Sequence, residues 1–177
     1  RKKDSITPVV FMGYMNPFEA MGAENFCSRA YKSGVDGILL VDMPPEESSK
    51  FTRAASSNSL DLIRLIAPTT DEKRIKNICT DASGYIYYIS VKGVTGSNKI
   101  DPVEVKSKVN TIQSMTDLPV VVGFGIKDAD SVTSVRDLSD GIVVGSALVS
   151  LIAEGKNQLS DKISNKIEEL SSALLSE

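Results

Sequence analysis

The chain has no histidine, and only two cysteines among its 177 residues. Without histidine, the Ser-His-Asp and Cys-His nucleophile systems cannot be built, and the usual zinc sites lose their nitrogen ligand. Cys27 and Cys79 each fall in a stretch with amphipathic helical spacing. Two free, partly buried thiols are therefore expected rather than a disulfide framework. Long blocks of one charge are also missing: 20 basic and 23 acidic residues are interspersed, for a net charge of -3. That balance argues against nucleic acid or an anionic membrane as the main partner. No run approaches the roughly 20 apolar residues that span a bilayer. The opening RKKDSITPVVFMGYMNP is too short and interrupted in its apolar part for a signal peptide. A cytoplasmic location is expected, and Arg1 in the place of an initiating methionine predicts residues upstream. Neither a Walker loop nor a full dinucleotide fingerprint occurs, since GFGIKD lacks the third glycine. Nothing calls for a metal or an organic cofactor.

What is present is ordinary for a globular domain, with 41% hydrophobic and 24% charged residues. Short apolar runs alternate with helical spacing, the signature of a parallel sheet with crossover helices. The strands are expected at 8–14, 37–42, 60–67, 85–90, 119–124 and 141–145, each apolar on both faces. Helices are expected at 19–32, 45–57, 71–81, 102–114, 128–138 and 157–175. Thr70 or Asp71 and Asp101-Pro102 supply start signals, KDAD at 127–130 supplies first-turn acids, and Gly34 supplies a stop. The result is a single α/β domain over 1–177. Two architectures bury such strands: an open doubly wound sheet, favoured by the count of units, and a closed (β/α)8 barrel. A typical barrel of about 250 residues would need two more units.

In both architectures ligands gather at the carboxyl ends of the strands. Gly123 and Gly125 expose amides at the end of VVVGFG, and Gly145-Ser146 do so at the next strand, where Ser146 begins a short helix, SALVSLI. Oriented amides beside a helix N-terminus suit a phosphate. The alternative, that these glycines only permit tight turns, is weakened by their pairing in consecutive final units. The stretch from Val91 to Asp101, with Gly93, Thr95 and Gly96, is long enough for a lid. Lys92 and Lys99 there either attract an anion or are simply solvated. Asp42 is an acid, a ligand contact or a cap for the helix PEESSKF, and Tyr87 is either a site residue or core packing.

The strings NPFEAMGAENFCSRAYKSGVDGILLVDMPPEES, GYIYYISVKGVTG, LPVVVGFGI and GIVVGSALV resemble the tryptophan synthase alpha chain family, in its order and spacing and along nearly the whole chain. The resemblance implies a (β/α)8 barrel represented by its third to eighth units, with the open sheet as the alternative. It implies a lyase that splits indole-3-glycerol phosphate into indole and glyceraldehyde 3-phosphate by a retro-aldol reaction. By similarity, Gly96, Phe124, Gly125, Gly145 and Ser146 hold the phosphate. Met12, Tyr14, Tyr87 and Thr95 belong to the indole pocket and lid. Asn16 and Pro44 lie at the rim facing the beta chain of an α2β2 assembly. The alpha chain uses no cofactor, and pyridoxal phosphate belongs to the beta partner.

The family's acid/base glutamate sits in a motif like ELGIPFSDP, with a helper aspartate in the following loop. Neither motif occurs in this sequence, so both are expected upstream of Arg1 and no catalytic residue is assigned. Proton delivery to the indole carbon and relief of charge at the ring nitrogen need two positioned carboxylates, so the chain alone is expected to bind phosphate without cleavage. Two other readings stay open: a non-catalytic phosphate-binding module, and another phosphosugar-binding barrel enzyme sharing the GFG and GSA pair. GVTG and VDMPPEES count against the latter.

Overall fold

The structure is a computed structural model that describes residues 2–90, 101–123, 125–155 and 158–176. All six expected strands form: β1 (Val10–Gly13), β2 (Gly37–Leu40), β3 (Asp61–Ile66), β4 (Ile86–Ile89), β5 (Val120–Gly123) and β6 (Gly141–Val143). Strand order follows chain order. Each strand is shorter than its apolar run, because ladder pairing stops before the hydrophobic residues do.

The helices depart more from expectation. The stretch expected at 19–32 is two helices, α1 (Met15–Met21) and α2 (Ala23–Lys32), broken at Gly22 with φ +81°. A short 3-10 turn (Pro45–Glu47) precedes α3 (Ser49–Ser57). Asp71 and Asp101 cap α4 (Glu72–Thr80) and α5 (Pro102–Gln113), the latter with proline in its first turn. A reciprocal box of Asp128 and Ser131 starts α6 (Ala129–Thr133), and a 3-10 turn (Arg136–Leu138) replaces the rest of the helix expected there. Then come α7 (Ser146–Ala153) and α8 (Leu159–Leu175). Gly34 does end α2: with φ +82° its amide bonds to the Tyr31 carbonyl, and the next amide reaches Ala30.

Contacts group the residues into two compact units, residues 1–66, 70–87 and 115–118, and residues 67–69, 88–114 and 119–177. In the first unit, β1, β2 and β3 pair in parallel, with Val10 opposite Gly37 and Gly37 opposite Asp61. Its core joins Phe18, Cys27, Ile38, Phe51, Ala54 and Leu62, and Phe26 meets Phe18 edge to face with ring centroids 4.3 Å apart. The expectation of strands apolar and covered on both faces holds for β2 but not for β1, where Phe11 is 43% and Met12 58% exposed. β1 stands first in the strand order and pairs with β2 alone. In the second unit β5 and β6 pair in parallel, and Ile126, Val132 and Val135 pack against Leu170 of α8. Val105, Val109 and Ile112 form the buried stripe of α5 at helical spacing. Among the described residues no helix is long and apolar enough to cross a membrane.

Candidate functional site

In the second unit the register sets Val121 opposite Gly141 and Gly123 opposite Val143. Gly125 and Gly145 therefore each lie two residues beyond the same terminal pair. Gly125 is exposed and has φ +77°, a conformation that suits glycine. Gly145 is different. Its φ of -118° is open to any residue, and a Cβ built on it would meet nothing within 4 Å. Neither its backbone geometry nor packing among the described residues requires glycine there.

Gly145 is also the N-cap of α7, without a side-chain cap and without an acidic residue in the first turn. Its carbonyl accepts the Leu148 and Val149 amides at 3.0 and 3.1 Å, while the amides of Ser146 and Ala147 have no acceptor within the helix. Other helices supply an internal anion at this place. Asp71 accepts the Arg74 amide at 2.8 Å, Asp101 the Val103 amide at 2.9 Å, and Asp128 the Ser131 amide at 3.0 Å. Hydrogen bonds from Ser131, through its hydroxyl first and its amide second, hold the Asp128 carboxyl below the usual carboxylate value. At α7 the partial positive charge is left for something else.

One residue that belongs to the GYIYYISVKGVTG string, but to which the sequence assigned no role, braces this strand end. Ser90 directs both its amide and its hydroxyl at the Gly123 carbonyl, at 3.0 and 3.1 Å. Thirty-three positions separate the partners, so no local sequence signal could reveal the bond.

In the first unit, Tyr87 is buried and Tyr14 is 66% exposed. Burial, with Tyr85 adding to it, pushes the Tyr87 phenol above its ordinary value. Asn16 is exposed on α1, and Pro44 is half-buried. The segments carrying these two are brought together by Asp42, whose carboxylate accepts the Met15 amide at 2.7 Å. This corrects one expected role of Asp42: it caps the earlier helix α1, and not the helix PEESSKF that follows it. Thr95, Gly96, Phe124 and residues 91–100 of the expected lid lie outside the described residues.

Arg64 of β3 was also missed. It is buried, one guanidinium nitrogen donates to the Met43 carbonyl at 3.4 Å, and Nη1 has no partner among the described residues. Burial lowers its affinity for its proton, with Asp81 and Glu46 acting in the opposite sense. A cavity of about 430 Å³ in the same unit is lined by Thr52, Asp61, Thr80, Asp81 and Ser83. Asp61 opens β3, so this cavity lies at the amino end of a strand, away from the ends where such folds bind ligands. Among the described residues no group of histidine, cysteine, aspartate and glutamate is arranged to hold a metal.

Parallel strands in sequential order, with paired glycines past the last two, define a protein of the (β/α)8 barrel class. Solved structures agree. One from Aquifex aeolicus matches with a TM-score of 0.87 and 35% identity, over 99% of this chain and 65% of that one. Another, the tryptophan synthase a2b2 complex from the hyperthermophile Pyrococcus furiosus, matches with a TM-score of 0.86 and 35% identity, over 97% of this chain and 69% of that one. The model of the tryptophan synthase alpha chain family matches residues 1–175, and the chain belongs to that family. Tryptophan synthase alpha chains from Thioalkalivibrio sulfidiphilus and Marinobacter nauticus are 53% identical over 154 residues and 49% identical over 170. Those matches cover 87% and 96% of this chain but 58% and 63% of the relatives, so the chain spans about three fifths of their length.

Proposed function

We propose that the chain is the phosphate-binding part of a carbon-carbon lyase that cleaves indole-3-glycerol phosphate to indole and glyceraldehyde 3-phosphate in tryptophan biosynthesis. The observation that carries this reading is Gly145, a glycine with no conformational or packing reason to be one among the described residues, at the start of α7, which has no side-chain cap. A phosphate monoester fills that role: it needs close approach, which a side chain would block, and it supplies the anion that α7 lacks. Gly125 and Ser146 contribute amides from the same end of the unit, with Gly96 and Phe124 completing the phosphate set by family similarity. Met12, Tyr14, Tyr87 and Thr95 are assigned to the indole pocket and lid. Asn16 and Pro44 are assigned to the rim that meets the beta chain in a cytoplasmic α2β2 assembly. Residues 1–177 form one incomplete barrel domain in this reading.

A narrower reading has its own support. The first acidic residue after each of β2, β3, β4 and β5 is Asp42, Asp71, Asp101 and Asp128, and each is a helix cap. All four are committed to holding helix starts. The 177-residue chain by itself therefore binds the phosphate ester without cleaving it, and the acid/base pair comes from a part of the family's sequence that this chain does not match.

Calorimetric titration with glycerol 3-phosphate, run beside an assay for indole release, tests both. The expected result is saturable binding of the phosphate ester, no binding of glycerol, and no indole from a protein of intact mass 19.0 kDa. Failure to bind glycerol 3-phosphate at millimolar concentration would overturn the phosphate assignment. Indole release at that mass would overturn the narrower reading.

A further inference from the structure

We infer that Ser90 is a positioning residue for the phosphate-binding end of β5, acting through the Gly123 carbonyl. The inference rests on the phosphate reading of Gly125 and Gly145.

Glycine has the largest backbone entropy of any residue. A binding loop that leaves its strand through Gly123 and turns at Gly125 is therefore loose unless something holds it. The two glycines cannot supply the hold themselves, because neither has a side chain. The hold comes from Ser90, the residue that follows β4. A carbonyl oxygen has two lone pairs, and at Gly123 both are engaged by one residue, the Ser90 amide at 3.0 Å and the Ser90 hydroxyl at 3.1 Å. Gly123 is buried, so water is a poor substitute for either donor. Two donors on one oxygen fix the direction of that carbonyl, and peptide planarity carries the constraint into the bond that leaves the strand. The exit toward Gly125 is set before any ligand arrives, and ordering that would otherwise weaken binding is already done. The amide bond alone would serve a strand. The additional hydroxyl serves the direction of exit.

Removing the hydroxyl leaves the Ser90 amide bond in place. Part of the ordering the hydroxyl provided must then be made up on binding, with an expected loss of affinity for a phosphate monoester of about 2- to 12-fold. The experiment titrates the wild-type chain, Ser90→Ala and Ser90→Thr with glycerol 3-phosphate and with inorganic phosphate, and records thermal melts of each. Ser90→Ala is expected to weaken both ligands by that factor, and Ser90→Thr, which restores the hydroxyl, to return the affinity to within about twofold of wild type. Ser90→Cys, similar in size with only a weak donor, carries the same prediction if the alanine variant does not fold. Wild-type affinity in Ser90→Ala or Ser90→Cys, or equal impairment in Ser90→Thr, overturns the inference while leaving the phosphate site standing. Absence of binding by the wild-type chain removes the phosphate reading, and the role of Ser90 with it.

Discussion

The Asp42 carboxylate accepts the Met15 amide at 2.7 Å, joining the end of β2 to the start of α1 across 27 positions. The bond satisfies an amide that no residue of α1 itself can reach, since the N-cap position, Tyr14, offers no side-chain acceptor. Asp42→Ala is expected to destabilise the chain by about 1 kcal/mol, the usual cost of a lost cap. Asp42→Asn keeps an acceptor oxygen and loses less. Urea denaturation of the three proteins measures the order, and equal midpoints for all three would contradict it.

Gly125 and Gly145 are expected to respond in opposite ways. Gly125→Ala forces an L side chain into φ +77° and is expected to cost about 1–2 kcal/mol. Gly145→Asp enters open space and gives α7 the acidic cap it lacks, so stability rises by a few tenths of a kcal/mol. The same carboxylate occupies the amides proposed for phosphate and repels it, so glycerol 3-phosphate binding is expected to fall at least tenfold. A variant both more stable and as tight as wild type would rule out an anion at the start of α7.

Cys27 is fully buried, and burial, reinforced by Glu24, pushes its thiol up from 9.0 to about 11. The folded state therefore keeps the proton over a range in which the unfolded chain has lost it. The stability linked to this group is complete below about pH 9 and is progressively lost as pH rises toward 11. Cys27→Ala is expected to flatten the alkaline limb of a stability profile while costing core packing at every pH. Thiol labelling at pH 8 is expected to be slow in the folded chain and to accelerate at the unfolding midpoint.

Arg64 carries a buried charge with one nitrogen unpaired among the described residues. Replacing such a group by an apolar side chain of similar length is often neutral or stabilising, whereas removing its countercharge is not. Arg64→Met is expected to melt at or above the wild-type temperature. Asp81→Ala, which also takes away the acceptor of the Ser48 hydroxyl at 2.7 Å, is expected to melt well below it. Reversal of that order would show the guanidinium to be a net contributor to stability.

These residues mark how far the sequence could be read. All six strands were legible, because each is a short apolar run bounded by glycine, proline or polar residues. Asp71, Asp101 and Asp128 were legible as helix starts, because a cap reaches only two or three residues along the chain. The break at Gly22 was not, since a lone glycine within helical periodicity reads as tolerated. Asp42 was noticed and given the wrong helix, because the one it caps precedes it by a whole βα unit. Ser90 was legible as part of the GYIYYISVKGVTG string but not as a brace, and Arg64 only as an interruption in LDLIRLIA.

By itself the sequence determined the six βα units, their parallel order, the family and the paired glycines at Gly125 and Gly145. Periodicity, turn residues and motif spacing act over a few positions along the chain, and the sequence states them directly. Only the tertiary structure decided that, among the described residues, nothing crowds Gly145 and no side chain caps α7, that Asp42 ties β2 to α1, and that Ser90 holds the Gly123 carbonyl. Each of these depends on which distant segments the parallel register brings side by side. Such a register is set by the packing of every strand at once, and no single stretch of residues encodes it.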